Sequence, residues 1–365
     1  MICRRFKILK KQVYIIAEAG VNHNGEMELA KRLVREGAAA GVNAVKFQTF
    51  RPEKLVTKVA EKAAYQKENT GNRDSQLAML KKLTLQDDDY AELEQLCKEC
   101  GVDFISTPFD SDSLHFLTTK LDMPFIKVSS GEIDNAPFLL EIAHTQKSVV
   151  LSTGMATLGE IEKALAVLSY GYLNRDFPRS FQAVQNVYIS AEGQKVLKDK
   201  IKLLHCTTQY PAPFNQVNLL AMDTMKKAFG LPVGYSDHTE GTTIPVAAAA
   251  IGAEIIEKHF TLDKNMEGPD HKASLEPQEL KEMVCAIRMV EKANGNGIKV
   301  PAPVEVSNIH IVRKSLVAAK DIAIGEEFTT ENLTAKRAGV GISPMDIWNF
   351  IGQKSECNYK EDEKI

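Results

Sequence analysis

The sequence predicts an α/β protein: a TIM-type (β/α)8 barrel followed by a small, β-rich C-terminal domain. Eight short runs of β-branched and apolar residues alternate with amphipathic helical stretches, and this alternation indicates βαβ units around a parallel sheet. Eight is also the number of units that closes a barrel. The chain of 365 residues is longer than such a barrel, which takes ~250, so a further domain is expected. A doubly wound open sheet is the alternative architecture.

The eight strands are expected where short apolar runs end in polar residues. They are Tyr14–Glu18, Ala44–Gln48, Asp103–Ser106, Phe125–Val128, Ser148–Ser152, Lys202–His205, Val233–Tyr235 and Ile255–Lys258. The clearest helices are Met27–Ala40, which ends near Gly41, then Leu158–Leu168 and a last one at Glu276–Glu291.

Composition marks a domain boundary after the last of these helices. Residues 293–303 read ANGNGIKVPAP, and this concentration of Gly, Asn and Pro favours irregular extended backbone. We therefore expect a barrel domain over 1–292, a linker over 293–306 and a second domain over 307–365. Because so small a domain buries little core alone, we expect it to rest on a partner surface.

One connection from a helix to the next strand is longer than a (β/α)8 barrel requires. Residues 171–200 separate the fifth helix from the sixth strand and contain one short helical stretch, Ala191–Leu197. Connections from helix to strand lie on the barrel face opposite the active site. We interpret this segment as an insertion that affects stability or oligomerisation rather than chemistry.

Composition and charge exclude several classes of protein. The 45 Lys and Arg against 48 Asp and Glu give a net charge of −3, without the basic excess of a dedicated nucleic-acid binder. The apolar runs Val13–Ala17 and Gly241–Ala253 are too short for a signal peptide and a membrane span, respectively. Six scattered cysteines are not a disulfide framework, so we expect a cytoplasmic protein. Cys97 and Cys100 form a lone CxxC, either a zinc or redox pair or packing thiols.

Polar side chains follow the predicted strands, and the carboxyl ends of barrel strands face one common mouth. Two cations and four hydroxyl groups fall at these ends: Lys46, Lys127, Thr107, Ser130, Ser152 and Ser236. Cations and hydrogen-bond donors around one volume are what a phosphate or phosphocarboxylate pocket requires. A single Ser or Thr at such a position is more often a loop cap, and it is their convergence on one rim that favours the pocket.

Histidines follow the seventh and eighth strands, which are neighbours in a barrel. The imidazoles of His238 and His259 are expected to approach each other at the rim and to suit a divalent metal ion, with structural histidines as the alternative. His23 lies in the turn VNHNG and is either a further metal candidate or turn chemistry. Asp270 and His271 follow the eighth strand, where either recognition of substrate hydroxyls or loop solvation explains them.

The sequence resembles the sialic acid synthase family over its whole length. The motifs that carry the resemblance occur in order at nearly every strand end: AEAGVNHNG (17–25), VKFQTF (45–50), STPFD (106–110), FIKVSSGE (125–132), LSTGM (151–155), LLHCTTQYPAPF (203–214), VGYSDHTEG (233–241), IEKHFTLDKNMEGPDHKASLEP (256–277) and KRAGVGIS (336–343). The resemblance implies a barrel with a C-terminal SAF, or antifreeze-like, domain. It also implies an enzyme that condenses phosphoenolpyruvate with an N-acetylated hexosamine and releases phosphate by C–O cleavage.

The family resemblance also implies roles for individual residues. It implies that His238 and His259 bind Mn²⁺ or Mg²⁺ and that Glu18 or Glu132 handles protons. Contacts to phosphoenolpyruvate match Lys46, Thr107, Lys127, Ser130, Ser152 and Ser236, and contacts to the sugar match Gln48, Phe109, Glu132, Tyr210 and Asp270. Thr208 stands where some members have Asn beside phosphoenolpyruvate.

In this family the C-terminal domain of one subunit reaches over the barrel of its homodimer partner, and the arginine that contacts the N-acyl group matches Arg337. The segments DSQLAMLKKL, KHFTLDKNMEGPDHKASLEPQEL and CNYKEDE are most similar to bacterial N,N′-diacetyllegionaminate synthases, whose sugar is 2,4-diacetamido-2,4,6-trideoxymannose. N-acetylneuraminate synthases, which take N-acetylmannosamine, share much of this. Another phosphoenolpyruvate-dependent aldol-type synthase and a non-catalytic carbohydrate-binding protein are the alternatives.

Overall fold

The computed structural model describes residues 12–70 and 74–365. The chain divides into two compact units, with the division between Gly295 and Asn296. No helix within the two described ranges is long and apolar enough to cross a membrane.

The first unit is built on eight parallel strands. They are β1 Tyr14–Gly20, β2 Ala44–Thr49, β3 Asp103–Pro108, β4 Ile126–Val128, β5 Val149–Ser152, β6 Ile201–Cys206, β7 Val233–Asp237 and β8 Ile255–His259. Hydrogen bonding runs in the order β3-β2-β1-β8-β7-β6-β5-β4, and β3 also contacts β4. Chain order follows this circle without the reversal of a doubly wound sheet, so the predicted (β/α)8 barrel is confirmed.

Helices follow the strands and pack around them. The first unit contains α1 Met27–Ala40, α2 Pro52–Leu55, α3 Ala64–Thr70, α4 Gln76–Lys82, α5 Asp87–Cys100, α6 Ser111–Lys120, α7 Ala136–His144, α8 Leu158–Leu173, α9 Phe181–Tyr188, α10 Ala191–Lys200, α11 Ala221–Phe229, α12 Thr243–Ala250 and α13 Pro277–Ala293. The connection between β2 and β3 is the most elaborate, because it carries α2, α3 and α4 in addition to α5.

The predicted insertion does not begin at residue 171. Helix α8 continues to Leu173, since Tyr170 and Tyr172 are buried and hold it against its neighbours. Gly171 lies inside this helix, where an added Cβ would stand 2.7 Å from Ala143 Cβ, so the close packing of α8 on α7 requires glycine. The extra residues form two helices, α9 and α10, and not the one short helix that the sequence predicted.

Two apolar layers stabilise the barrel. The larger lies between the strands and the surrounding helices and includes Ile15, Leu33 and Leu93. The smaller consists of strand residues that fill the inside of the barrel: Ile16, Ala44, Ile105, Val150, Leu204 and Ile255, with Phe125 packed against them. Gly234 completes this inner layer without a side chain, because a Cβ there would stand 2.7 Å from Leu204 and 2.8 Å from Ile255.

The second unit is small and β-rich. Strand β9 Ser315–Ala318 pairs antiparallel with β10 Leu333–Lys336, and helix α14 Val306–Val312 precedes them. Phe328 and Leu333 form the centre of its core. Strand β10 ends at Lys336, so the motif KRAGVGIS begins at the end of this strand.

Candidate active site

Along each strand, the inward-facing side chains change from apolar to polar between one inward-facing position and the next. Side chains on one face of a strand recur every second residue, so each residue of the inner apolar layer is followed two positions later by a side chain that also faces inward. These side chains form a polar layer of buried groups: Glu18, Lys46, Thr107, Lys127, Ser152, Cys206, Ser236 and Glu257. Two residues further on, a rim follows: Gln48, Phe109, Ser129, Thr208, His238 and His259. The site is thus the continuation of the barrel core.

The polar layer and the rim surround a cavity of about 420 Å³ at the carboxyl ends of the strands, called here the mouth cavity. Of the residues predicted for the site, those that line it are Glu18, Lys46, Gln48, Thr107, Phe109, Lys127, Ser130, Ser152, Thr208, Tyr210, Ser236, His238 and His259. Barrel enzymes place their chemistry at this end of the strands, and the mouth cavity is therefore the candidate active site.

Four buried charges form the floor of the mouth cavity. Lys46 pairs with Glu18 and lies 3.7 Å from Glu257, while Lys127 lies 3.5 Å from the other oxygen of Glu257. Each of these side chains is 6% exposed or less. Ions in such surroundings are stable only where opposite charges compensate them, and Glu257 does this for both lysines at once.

The surroundings set the pKa values of these groups. Burial raises the pKa of Glu257, but Lys127 and Lys46 outweigh it and lower the pKa to about 2. Burial also raises the pKa of Glu18, and here Lys46 does not offset it. The pKa of Lys127 is lowered by burial. Glu257 is therefore ionised at neutral pH, whereas Glu18 is shifted towards its protonated form.

Hydroxyl groups surround the two ammonium groups. Lys127 Nζ donates a hydrogen bond to Ser152 Oγ at 2.7 Å, and Lys46 Nζ donates to Thr107 Oγ1 at 3.3 Å. Ser236 Oγ donates to Glu257 at 2.9 Å. Two cations with adjacent hydroxyls are the groups that an oxyanion site requires, and the structure brings together the residues that the sequence predicted for such a site.

The Ser130 side chain lines the mouth cavity and also contacts the end of β6. Its Oγ accepts a hydrogen bond from the Gly154 amide at 2.9 Å and lies 3.1 Å from Cys206 Sγ. A Cβ at Gly154 would stand 2.3 Å from Thr208 Oγ1. Glycine at this position therefore allows the fifth and sixth strand ends to approach closely enough for Ser130 and Thr208 to share one wall.

The two rim histidines face each other with ring centroids 5.5 Å apart. Tyr210 packs on both, at 4.1 Å from His238 and 5.5 Å from His259. His238 Nδ1 lies 2.7 Å from the Thr207 carbonyl oxygen, an arrangement that leaves Nε2 as the lone-pair nitrogen. Burial lowers the pKa of His238 to about 4, and burial together with His238 lowers that of His259. Both rings are neutral at pH 7.

This donor set fits a divalent metal that keeps open positions for water and substrate. Neutral imidazoles are metal ligands, and the buried His259 Nδ1 has no hydrogen-bond partner. Within the described residues, no group of three or more His, Cys, Asp and Glu side chains is arranged to hold a metal by itself. A metal here would therefore depend on water or substrate for its remaining ligands.

A buried ion pair behind the histidines connects their two strands. Lys258 and Asp237, the immediate neighbours of His259 and His238, are fully buried with Nζ and Oδ2 2.5 Å apart. Asp237 also accepts hydrogen bonds from the Tyr235 hydroxyl at 2.9 Å and from Thr239 at 3.0 Å. Since alternate side chains face opposite sides of a strand, this outward pair holds the ends of β7 and β8 in register.

Asp270 lines a second cavity that adjoins the first, described below as the side cavity. Burial, followed by the charge of Glu18, raises its pKa to about 7. His271 lies outside both linings and fixes the loop instead, with Nδ1 2.6 Å from Thr261 Oγ1 and Nε2 3.1 Å from Asn24. His23 is also buried outside the cavities, and its Nδ1 accepts from the Gly25 amide at 3.0 Å, as turn chemistry predicted.

The sequence singles out Glu132, Arg337 and the Cys97–Cys100 pair, and each lies within one of the two units. Glu132 accepts a hydrogen bond from Asn135 at 2.7 Å on the outer side of its turn and lines neither cavity. Arg337 belongs to the second unit, where it is exposed after β10. Cys97 is a buried free thiol whose pKa burial raises to about 12, and Cys100 is also free. Cys97 lies in the apolar layer between strands and helices and Cys100 packs against that layer, which supports the packing alternative for this pair.

Glu257 and Cys206 also line the mouth cavity, although no role was predicted for either of them from the sequence. Both obey the same period of two as the residues that were predicted, since they follow Ile255 and Leu204 of the inner apolar layer. That period was the signal that identifies them.

Comparison with known proteins agrees with this geometry. Residues 33–299 match the NeuB family and residues 313–365 match the SAF domain. The chain is 51% identical over 355 residues to N,N′-diacetyllegionaminic acid synthase of Campylobacter jejuni, covering 97% of this chain and 99% of that protein. It is 42% identical to the enzyme of the same name from Legionella pneumophila, over 94% of this chain and 91% of that one.

Among solved structures, N-acetylneuraminic acid (sialic acid) synthetase from Leptospira borgpetersenii serovar Hardjo-bovis, in complex with citrate, superposes with a TM-score of 0.66. It is 32% identical and covers 82% of this chain and 90% of that one. Fold and site together define a (β/α)8 barrel protein with two buried lysines and several hydroxyl groups around the cavity at its mouth. The chain belongs to the NeuB family, and the resemblance seen in its motifs is confirmed.

We expect Glu257→Gln to destabilise the protein by about 3 kcal/mol at neutral pH, since it removes the charge that compensates two buried lysines. The folded-state pKa of Glu257 lies near 2, below its ordinary 4.5. Its contribution is therefore complete above about pH 4.5 and declines as the pH falls towards 2. Urea unfolding at a series of pH values measures it. The exposed Glu240→Gln is the control, and equal stability of the two variants at pH 7 contradicts the assignment.

Proposed function

We propose that this protein is a nonulosonic acid synthase that condenses phosphoenolpyruvate with an N-acetylated hexosamine and releases phosphate. The observation that carries the proposal is the pair of buried lysines, Lys46 and Lys127, with hydroxyl groups around them at the barrel mouth. Near-full-length identity of 51% to N,N′-diacetyllegionaminic acid synthase supports the legionaminate series. N-acetylneuraminate formation from N-acetylmannosamine is the other member of the same reaction class.

Phosphoenolpyruvate binds in this proposal on the polar layer. Its phosphate and carboxylate oxygens accept hydrogen bonds from Lys46 and Lys127, and from the hydroxyls of Thr107, Ser130, Ser152 and Ser236, which line the same cavity. Thr208 lines the wall beside them, in the place taken by Asn in some relatives. Donors that are already fixed by the barrel stabilise developing charge without reorganising.

The reaction joins the two substrates and then removes phosphate. C3 of phosphoenolpyruvate forms a bond to the aldehyde carbon of the open-chain sugar, and the aldehyde oxygen takes up a proton. Water adds to the electron-poor C2 and gives up one proton. The C2–O bond to phosphate then breaks while the new C2 hydroxyl passes its proton to the departing phosphate, and the keto acid remains. One proton is thus taken up and one released, and a buried carboxyl group suits such a transfer.

Glu18 is the residue proposed to carry the proton that is taken up and released in the reaction. Its raised pKa favours the protonated form, and Gln48 Nε2 donates a hydrogen bond to its Oε1 at 3.1 Å, which fixes the orientation of the carboxyl group. Glu132, the other candidate from the sequence, lines neither cavity and is not proposed for this role. Asp270, with a pKa near 7, is placed to hold a sugar hydroxyl.

We further propose that His238 and His259 hold Mn²⁺ or Mg²⁺. A metal bound there supplies Lewis acidity for the sugar aldehyde. The protein supports this site through the Thr207 carbonyl behind His238 and through the Lys258–Asp237 pair behind both strands. The packing of Tyr210 against both rings limits their rotation.

We also propose a cytoplasmic homodimer in which Arg337 of one subunit contacts the sugar bound in the barrel of its partner. Membership of the NeuB family supports the arrangement, as does the exposure of Arg337 on the small second unit. The cysteines of the described residues, Cys97, Cys100, Cys206, Cys285 and Cys357, are free thiols, which suits a reducing compartment.

The expected activity is release of inorganic phosphate from phosphoenolpyruvate that depends on an added 2-acetamido sugar and on Mn²⁺. Lys127→Met is expected to reduce kcat/KM by about 100-fold or more, because it removes one of two cations from the oxyanion site. A coupled phosphate assay with N-acetylmannosamine and with 2,4-diacetamido-2,4,6-trideoxymannose measures the wild-type activity and its loss in the variant. Absence of release with either sugar refutes the proposed function.

His238→Ala and His259→Ala are each expected to weaken Mn²⁺ binding by about 10-fold or more, the scale on which metal sites respond to lost contacts. The loss of the free Mn²⁺ electron paramagnetic resonance signal on titration with protein measures the affinity directly. His115→Ala, on the exposed face of α6, is the matched control. Unchanged affinity in both site variants would remove the histidines from the metal site.

The role of Arg337 in the partner is tested by mixing two inactive variants. His238→Ala impairs the barrel, and Arg337→Ala removes only the arginine. If each arginine serves the other barrel, a mixed dimer contains one complete site, and activity returns after subunit exchange. If the arginine serves its own barrel, the mixed dimer contains no complete site and the mixture stays inactive. Phosphate release before and after exchange distinguishes the two.

A further inference from the structure

A second cavity of about 270 Å³, the side cavity, adjoins the mouth cavity and has an apolar wall. Six side chains of this wall are Val21, Phe50, Val56, Met79, Leu80 and Leu83. Five of them pack with one another into a hydrophobic cluster separate from the barrel core, and Leu55, Val56 and Phe109 pack against it. The cluster comes from the turn after β1 and from the connection that carries α2 and α4.

The side cavity opens onto the reacting end of the mouth cavity. Gln48, Phe109, Tyr210 and His259 line both cavities, so the two meet at the rim rather than at the lysines. Asp270 lines the side cavity alone. Any molecule that reaches from the histidines into the side cavity therefore passes Tyr210 and Phe109 before it meets the apolar wall.

The position of the reacting atoms orients the sugar, and this step rests on the proposed function. The aldehyde carbon must lie beside the histidines and within reach of phosphoenolpyruvate on the lysines. The carbons farthest from the aldehyde, C4 to C6 of the open chain, then extend away from the charged floor. The side cavity is the adjoining volume at that end of the site.

The wall determines which groups are favoured on those carbons. A hydroxyl placed against apolar side chains loses its hydrogen bonds to water without replacement, whereas a methyl group gains from burial. Where the two cavities meet, the carboxamides of Gln48 and Gln76, which line both, offer donors and acceptors to an amide. The lining thus complements methyl groups and an acetamido group together.

We propose that the side cavity selects a sugar that is deoxygenated at C6 and carries a second acetamido group at C4, in preference to N-acetylmannosamine. Val56, half-buried on the wall, is a specificity-determining residue for this choice. The selection acts on binding of the sugar's distal end and leaves the site of phosphoenolpyruvate, on the other side of the rim, unaffected.

The test compares kcat/KM for the two sugars in the wild type and in Val56→Thr, which keeps the shape of the side chain and adds a hydroxyl. The wild type is expected to prefer 2,4-diacetamido-2,4,6-trideoxymannose by about 10-fold or more. Val56→Thr is expected to reduce that preference about fourfold, the equivalent of one buried methyl group, with KM for phosphoenolpyruvate unchanged. Val59→Thr, the same change on an 87% exposed residue of the same segment, is the control.

The outcomes separate this inference from the proposed function. A preference that narrows in Val56→Thr but not in Val59→Thr supports the inference. Turnover of both sugars with equal efficiency, or a preference that Val56→Thr and a second variant, Leu55→Gln, leave intact, overturns it while the synthase function stands. Phosphate release with neither sugar overturns both. Thermal unfolding of each variant shows that an altered preference comes from folded protein.

Discussion

The site depends on the compensation of two buried ammonium groups by two carboxylates at the mouth of the barrel. Lys46 and Lys127 are held where water is nearly absent, and Glu257 lies between them at 3.7 and 3.5 Å. Without substrate, this keeps the floor of the cavity close to electrically neutral and the fold stable. Burial raises the pKa of Glu18, so protonation there leaves the lysines in excess when an anion binds. The same charges thus stabilise the empty barrel and favour an oxyanion, although the whole chain has a net charge of only −3.

The period of two along the strands explains how much of the fold and of the mouth cavity could be predicted from the sequence. Apolar runs followed by polar residues placed all eight strands, and nearly every residue expected at the mouth lines it. The same rule applies to Glu257, which follows Ile255 of the inner apolar layer by two residues and lines the mouth cavity. Glu132 was placed by motif rather than by strand phase, and it lies in a turn whose backbone directs it to Asn135. The period of two does not apply in such turns and therefore cannot predict where their side chains lie.

At β7 and β8, side chains on both faces of the strands contribute to the structure of the site. Ser236, His238, Glu257 and His259 face inward, whereas Asp237 and Lys258 between them face outward and form a fully buried pair. A mismatch in register between these strands would separate the histidines and leave two buried charges uncompensated, so the outward pair makes misregistration costly. This pairing could not be read from the sequence, because outward positions of barrel strands ordinarily carry the apolar side chains of the layer between strands and helices.

The apolar wall of the side cavity has a different physical origin from the catalytic floor. The floor is part of the barrel interior, where each side chain is fixed by neighbours on adjacent strands, and Gly154 and Gly234 show how little space remains there. The wall comes from Val21 in the turn after β1 and from residues 50–83 of the connection between β2 and β3, and it packs into a cluster of its own. Substitutions in that cluster alter the shape offered to the sugar without disturbing the core of the barrel. Separate packing units therefore allow specificity to change while the charged floor, and the chemistry it supports, stays the same.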